Sequence, residues 1–264
     1  MLEYGNINKL TVLKETDIAY MLTDGSEQVF LHFNQTPKKL EIGENVEAFL
    51  YFDQKKRLCA TLEAPLISTT KANFVEVVGL NDAGVFVNIG ISKDILLSKD
   101  FLPKAVKLWP RIGDKLPCII KVKQNQLVAR IIDLNDGLQT EEIEAKVSSN
   151  GIVTYISENG LVACTNKFQF VFINKSLLRK QYHIGEEISF HTTELKDKIM
   201  YASTIEQKEK ARLSDSDQIL SYLREMGGML PLGDASNPEE INKLLHMSKS
   251  AFKRAVGHLY KLDI

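Results

Sequence analysis

Ile112-Gly113-Asp114, followed by the strand-like run Lys115-Leu116-Pro117-Cys118-Ile119-Ile120, has two counterparts in this chain of 264 residues. These are Ile42-Gly43-Glu44 and Ile184-Gly185-Glu186, so the three glycines lie about 70 residues apart. An alanine follows each glycine at nearly the same distance, at Ala60, Ala129 and Ala202. Because solenoid and propeller repeats span only about 20 to 50 residues, each repeat is predicted to be a small domain with its own core.

The second repeat reads as five short β-strands that are rich in valine and isoleucine and separated by turn residues. Alternation assigns their faces: Val85, Val87 and Ile89 share one side, while Phe86 and Asn88 share the other. Five strands in so short a repeat favour a closed barrel, because closure removes the unpaired edges of an open sheet. The predicted strands cover residues 73–80, 85–89, 95–97, 115–122 and 127–132.

Composition is that of an ordinary globular protein, with 44% hydrophobic and 25% charged residues and a net charge of −1. The sequence shows neither a signal peptide nor an apolar run of the roughly 20 residues that a membrane span needs. This predicts a cytoplasmic protein without a membrane partner. Cys59, Cys118 and Cys164 form no Cys-x-x-Cys pair, and they are predicted to be buried free thiols, not disulfide or zinc ligands.

The last fifty or so residues change to a helical period. After a charged linker at residues 208–212, Ser214 can cap a helix that runs to about Met226. Asn237-Pro238 opens a second helix, and Ser248 caps a third, in which Phe252, Val256 and Leu259 are predicted to be buried. The third helix carries basic residues and no acid, which is typical of a winged-helix or helix-turn-helix domain facing nucleic acid. Its exposed basic residues are Lys249, Lys253, Arg254 and Lys261.

A motif in the second repeat carries a family resemblance. Gly84-Val85-Phe86-Val87-Asn88-Ile89-Gly90, Lys93-Asp94-Ile95-Leu96-Leu97 and Ile112-Gly113-Asp114 together resemble the ribosomal S1-type RNA-binding domain, an OB-fold barrel. The usual S1 pattern has an aromatic residue just before the first glycine and a histidine near the third strand. This chain has Ala83 and Leu96-Leu97 at those places.

The order of three S1-like repeats and a helical end, with Gly227-Gly228-Met229-Leu230-Pro231 and residues 247–261, resembles the conserved virulence factor B family. The resemblance implies a mainly β protein, with three tandem five-stranded OB barrels and a winged-helix-like domain. It also implies an RNA-binding regulator that acts post-transcriptionally, without catalysis or cofactor. The family would be expected to continue past Ile264 into wing strands, so either the wing is short or missing or the chain is truncated. The predicted domains are residues 1–65, 66–135, 136–207 and 208–264.

Charge distribution suggests where a polyanion would bind. Residues 66–135 carry 10 basic and 6 acidic side chains, whereas residues 1–65 and 136–207 each carry 7 basic and 10 acidic ones. Because phosphate contacts supply most sequence-independent affinity, the second repeat and the last helix are the predicted footprint on single-stranded RNA. The candidate nucleic-acid-binding residues are Phe86, Asn88, Lys93, Lys121, Lys123, Arg130, Lys249, Lys253, Arg254 and Lys261.

Alternatives stay open for several residues and for the function. Phe86 could stack on a base or pack against a neighbouring barrel, and Asp133 and Asp136 could bind a metal. Phe168, Phe170 and Phe172 alternate on one face, where barrel core is favoured over a stacking platform. No nucleotide-binding, hydrolase or metalloprotease motif is present, so no enzyme is predicted. The other function classes are a protein-interaction scaffold and a DNA-binding regulator that acts through the last helix.

Overall fold

The computed structural model describes residues 1–138, 144–196, 199–205 and 208–261, with the side chains of the last segment described from Asp215 onward. The chain forms two compact units, Met1–Ala202 and Ser203–Ile264. The first unit contains three closed β-barrels and the second contains helices, which confirms the predicted fold class. The predicted domain boundaries at residues 65, 135 and 207 stay a prediction.

All three barrels have the same strand order, in which the first strand pairs with the second and the fourth. The third strand pairs in parallel with the fifth and closes the barrel, and the first strand carries a bulge. In the first barrel the strands are β1 (Ile7–Glu15), β2 (Ala19–Thr23), β3 (Gln28–His32), β4 (Asn45–Phe52) and β5 (Leu58–Thr61). In the second they are β6 (Asn73–Asn81), β7 (Gly84–Asn88), β8 (Ile95–Ser98), β9 (Lys115–Val122) and β10 (Leu127–Ile131). In the third they are β11 (Ser148–Ile156), β12 (Gly160–Cys164), β13 (Phe170–Asn174), β14 (Glu187–Lys196) and β15 (Ile199–Ser203).

The repeated Ile-Gly-acid phrase forms the turn that leads into the fourth strand of each barrel. Each glycine has a positive φ, which L side chains rarely adopt, and its N–H donates to a valine carbonyl of the first strand at 2.8 Å. The acidic side chain accepts the backbone N–H of the residue three positions before it. The motif recurs because each barrel uses the same turn to enter its fourth strand. The glycine and valine pairs are Gly43 with Val12, Gly113 with Val77, and Gly185 with Val153.

Side-chain alternation in β7 follows the prediction. Val85 and Val87 lie in the core of the second barrel, and Phe86 is half-buried on its outer face. In β9, Leu116, Cys118 and Ile120 also point inward, whereas Val122, at the next alternate position, is 40% exposed. The pattern ends there because β9 ends at Val122 and leads into an exposed turn.

Aromatic residues pack the barrels against one another within the first unit. Phe49 and Phe52 point out of the first barrel and are buried in the hydrophobic cluster of the second. Between the second and third barrels, Phe74 stacks on Phe168, with ring centroids 5.7 Å apart and ring planes at 6°. Such contacts make this unit an array of joined barrels.

The second unit has three helices, and after Ser203, the last residue of β15, its described residues contain no strand. Asn237 and Ser248 cap the second and third helices as predicted. The first helix begins earlier than predicted, because the charged segment from Lys208 consists largely of strong helix formers and continues the helix. The helices are α1 (Lys208–Glu225), α2 (Pro238–Leu245) and α3 (Lys249–Lys261).

Candidate nucleic-acid interface

An equivalent row of four residues crosses the outer face of each barrel, on its first, second, third and fifth strands. In the second barrel, Gly79 pairs with Phe86, Phe86 with Leu96, and Leu96 with Val128. We call these four residues, and their counterparts, the outer row of each barrel. In the first barrel the outer row is Lys14, Met21, Phe30 and Cys59. In the third it is Tyr155, Val162, Phe172 and Tyr201.

The third barrel has three aromatic side chains in its outer row, more than either of the others. Tyr155 is 60% exposed, and Phe172 and Tyr201 are half-buried with their centroids 5.7 Å apart in an edge-to-face arrangement. The barrel core lies on the opposite side of the same strands, formed by Val171, Ile173 and their neighbours. The three aromatic rings therefore do not pack in the core of their own barrel.

This aromatic row forms one side of a groove of about 880 Å³ between the second and third barrels. The second barrel supplies the other side through a short 3-10 turn at Lys99–Phe101 and the segment after β10. Phe101 and Leu134 line it, although both are largely exposed to solvent. A planar apolar group would contact aromatic or aliphatic side chains on both sides of this groove.

Charged side chains at the groove largely neutralise one another. The Arg130 guanidinium, which lines the groove, contacts Asp133 at 3.4 Å and also forms an ion pair with Asp136. Partial burial opposes ionisation of Asp136, but hydrogen bonds from Arg130 and from the Asp133 N–H outweigh it and lower its pKa. Arg130, Asp133 and Asp136 therefore form an ion-paired cap at the end of β10. The candidate metal pair of aspartates is part of this cap.

The other candidates in the second barrel lie in different environments. Phe86 is outside the hydrophobic clusters of the described residues and lies opposite Gly79. Asn88 is exposed, and its side-chain oxygen accepts the Gly90 N–H at 2.7 Å. Lys93 donates to the Phe52 carbonyl and lies 5.7 Å from the centre of the Tyr51 ring, and partial burial lowers its pKa. Lys121 and Lys123 are exposed.

The phenylalanines of the third barrel are not core residues of that barrel, contrary to the favoured expectation. Phe168 has a positive φ and stacks on Phe74, while Phe170 is buried with Ile119 and Ile132 of the second barrel. Phe172 faces the groove. Alternation places Phe170 and Phe172 on the same face of β13, whereas Phe168 precedes the strand. Alternation within one barrel could not show that the second barrel covers Phe168 and Phe170 and leaves Phe172 facing the groove.

Helix α3 buries Phe252 and Leu259 as predicted, but the prediction was wrong at Val256. Phe252, Ala255 and Leu259 are buried, whereas Val256 is 39% exposed. The reason is close packing on α1, where the Ser216 hydroxyl donates to the Ala255 carbonyl at 3.3 Å. Lys253 contacts Asp234 at 3.2 Å through two well-exposed side chains. The exposed surface of α3 includes Lys253, Arg254, Val256, Gly257, Tyr260 and Lys261, with Lys249 partly exposed.

The three cysteines are buried free thiols, as predicted. Burial raises the pKa of Cys164 to about 12 and raises the pKa of Cys118 further. Across the described residues, no group of three or more His, Cys, Asp or Glu side chains is placed to hold a metal ion. No helix within those same residues is both long and apolar enough to cross a membrane.

Comparisons with known proteins agree with this architecture. Family models match at residues 4–63 (S1 domain), 73–130 (CvfB first S1-like domain) and 217–264 (CvfB-like winged helix domain). The uncharacterized protein YitL of Bacillus subtilis is 35% identical over 259 residues, covering 96% of this chain and 87% of that protein. Conserved virulence factor B of Staphylococcus haemolyticus is 29% identical over 276 residues, covering 98% of this chain and 90% of that protein.

A solved structure shows the same fold over nearly the whole chain. It is the crystal structure of a multidomain protein with nucleic acid binding domains from Streptococcus pneumoniae, which superposes with a TM-score of 0.61 at 22% identity. The match covers 98% of this chain and 94% of that one. At this identity the likeness supports the fold alone.

Proposed function

The chain belongs to the conserved virulence factor B family, and on that premise we propose that it binds single-stranded RNA and regulates gene expression post-transcriptionally, without catalysis. The S1 and winged-helix domains suit a nucleic-acid-binding protein. Its three buried free thiols suit a reducing compartment, which supports a cytoplasmic location in this proposal.

The observation that carries this proposal is the aromatic outer row of the third barrel. Phe172 and Tyr201 lie on the outer side of the neighbouring strands β13 and β15, and Tyr155 lies on the same side of β11, beyond Val162 of β12. All three aromatic residues line an open groove. Base stacking on an aromatic ring contributes about 1 to 3 kcal/mol per base and tolerates any sequence. Three rings on one face are suited to successive bases of a single strand.

Unpaired RNA fits the groove better than duplex RNA does. Bases in an A-form helix are stacked on one another, and the helix offers proteins mainly its shape, its phosphates and its 2′-hydroxyls. The groove, in contrast, is mainly aromatic and aliphatic, and its arginine is already ion-paired. Bases would therefore enter the groove while the phosphates remain outside it. Lys121 and Lys123 of the second barrel are exposed cations that could contact those phosphates.

Fluorescence anisotropy with a labelled single-stranded RNA and its duplex tests the proposal directly. The single strand should bind more tightly, and a Phe172→Ala, Tyr201→Ala double variant should lose at least about fivefold in affinity, as expected when about 1 kcal/mol or more of stacking is lost. Phe30→Ala is the matched control, because Phe30 occupies the outer-row position of Phe172 in the first barrel and is also half-buried. Equal affinities of the double variant and the control would contradict the proposal.

A protein-binding scaffold is a second candidate, and one observation favours it. Two of the three charged residues that line the groove are acidic, Asp100 and Asp133, and the third is the ion-paired Arg130. A peptide with apolar and basic side chains would suit that lining. A groove variant that loses a peptide ligand of this kind while it keeps full RNA affinity would support the scaffold.

A further inference from the structure

His183 lies between the second and third barrels with a carboxylate at each ring nitrogen. Its Nε2 is 2.9 Å from Asp114 Oδ2 of the second barrel, and its Nδ1 is 2.8 Å from Glu186 Oε2 of the third. The side chain is buried. A buried imidazole between carboxylates of two barrels is placed to link the barrels.

The surrounding backbone shows that this is a close contact between two turns. Asp114 and Glu186 are the acidic residues of the Ile-Gly-acid turns in their barrels. A Cβ added to Gly185 would lie 2.8 Å from the Asp114 Cβ, and the Ile184 N–H donates to the Leu108 carbonyl at 2.9 Å. Ile184 is buried and lines the groove, whereas its counterparts Ile42 and Ile112 are 69% and 67% exposed.

The protonation of His183 determines how many of these contacts can form. A doubly protonated imidazolium donates one hydrogen bond to each carboxylate, but a neutral imidazole has a single N–H and places a lone pair against the other carboxylate. Two positive groups, the imidazolium and Lys180, would balance the two carboxylates, since Lys180 contacts Glu186 at 2.6 Å. The Lys180 ammonium also lies 4.9 Å from the centre of the Tyr182 ring, and Arg111 is a further nearby cation that donates its backbone N–H to Asp114.

Glu186 remains ionised in this cluster. Burial opposes its charge, but hydrogen bonds from the Lys180 ammonium and from the backbone N–H of His183 outweigh that effect and lower the pKa of Glu186. A neutral His183 that donates its single N–H to Asp114 would therefore place the lone pair of its other ring nitrogen against the ionised Glu186 carboxylate. Histidine side chains in general change charge between about pH 5 and 8, within the range of cellular conditions.

We propose that His183 is a positioning residue that, in its protonated form, holds the third barrel against the second and so sets the shape of the RNA groove. The expected effect on RNA affinity rests on the proposed function, whereas the contact between the second and third barrels can be measured without RNA. Stronger contact is expected at acidic pH, where the imidazolium donates to both carboxylates. Weaker contact and lower RNA affinity are expected as pH rises and one hydrogen bond is lost.

RNA affinity at pH 6 and pH 8 tests the inference with His183→Gln and the control His32→Gln. Wild type and both variants keep His191, His246 and His258, so any gain in affinity at pH 6 that comes from protonation of those histidines appears in all three proteins. The ratio of the affinities at pH 6 and pH 8 should be about threefold to tenfold larger in wild type and His32→Gln than in His183→Gln, as expected for the net contribution of one hydrogen bond. Equal ratios in all three, with RNA still bound, would overturn the role of His183 and leave the proposed function standing.

Trp109 provides the RNA-independent measurement. It is the single tryptophan in the chain, and it lies in the same hydrophobic cluster as Ile184 and next to Leu108. Its emission maximum should shift to longer wavelength between pH 6 and 8 in wild type and in His32→Gln, and should not change with pH in His183→Gln. If no variant binds RNA, a shift confined to the two proteins that retain His183 still supports the link between barrels. An emission maximum with the same pH dependence in all three would refute it.

Discussion

Phe172 lies beside Tyr201 across the parallel strand pair β13 and β15, and the two ring planes meet at 80°. An edge-to-face pair uses the face of only one ring, so the second ring keeps a face on which a base can stack. The equivalent pairs in the other barrels are Phe30 with Cys59 and Leu96 with Val128. Of the three barrels, only the third has two aromatic residues at these positions, which is why it is central to the proposed site.

Phe86 is predicted to be a secondary stacking position. Phe86→Ala should lower affinity for single-stranded RNA by about 1 to 3 kcal/mol, because the ring is half-buried on the outer row and outside the core of its barrel. Its thermal stability should fall far less than that of Phe49→Ala, since Phe49 is buried between barrels and such core deletions cost about 3 to 5 kcal/mol. Normal RNA binding together with a large loss of stability would identify Phe86 as a packing residue.

Charge reversal in the second barrel is predicted to weaken RNA binding. Lys121→Glu with Lys123→Glu should reduce affinity, and the dependence of log affinity on log salt should become shallower by about 0.7 for each lost phosphate contact. Lys38→Glu with Lys39→Glu is the control with equal charge change in the first barrel, where Lys38 is already paired with Glu44 at 2.6 Å. Titrations at several salt concentrations measure both effects. A larger loss in the control would place the footprint on the first barrel.

The sequence predicted the barrels better than it predicted the interface, for a physical reason. Repeated turns and alternation act within one barrel, so Gly113, Val85 and Val87 could be assigned from local sequence. The environments of Lys93 and Phe170 depend on side chains from another barrel, far away in sequence. Tyr201 and Tyr155 were missed because their significance depends on strand register, although comparing the three repeats at the outer row could have identified them.

Gly185 is predicted to tolerate substitution less well than Gly43. Both have nearly the same positive φ, so Gly→Ala should cost about 1 to 2 kcal/mol of backbone strain in each. Gly43 faces open space, whereas a Cβ at Gly185 would meet the Asp114 side chain. Gly185→Ala should therefore lose a further 1 to 3 kcal/mol, roughly the cost of overpacking, in denaturant-induced unfolding. Equal losses in the two variants would mean that the turns of the second and third barrels do not pack as closely as the structure shows.

The exposed basic surface of α3 is predicted to contact nucleic acid. Lys253→Gln with Arg254→Gln should lower RNA affinity and make the salt dependence shallower by about 0.7 for each lost contact with a single strand. Both side chains are exposed, and the Asp234 partner of Lys253 is itself well exposed, so the ion pair contributes little to stability. Arg224→Gln with Lys243→Gln removes the same charge from exposed positions on α1 and α2. If this control reproduces the full effect, general charge explains it. If neither variant changes the salt dependence, α3 is a structural or protein-binding helix.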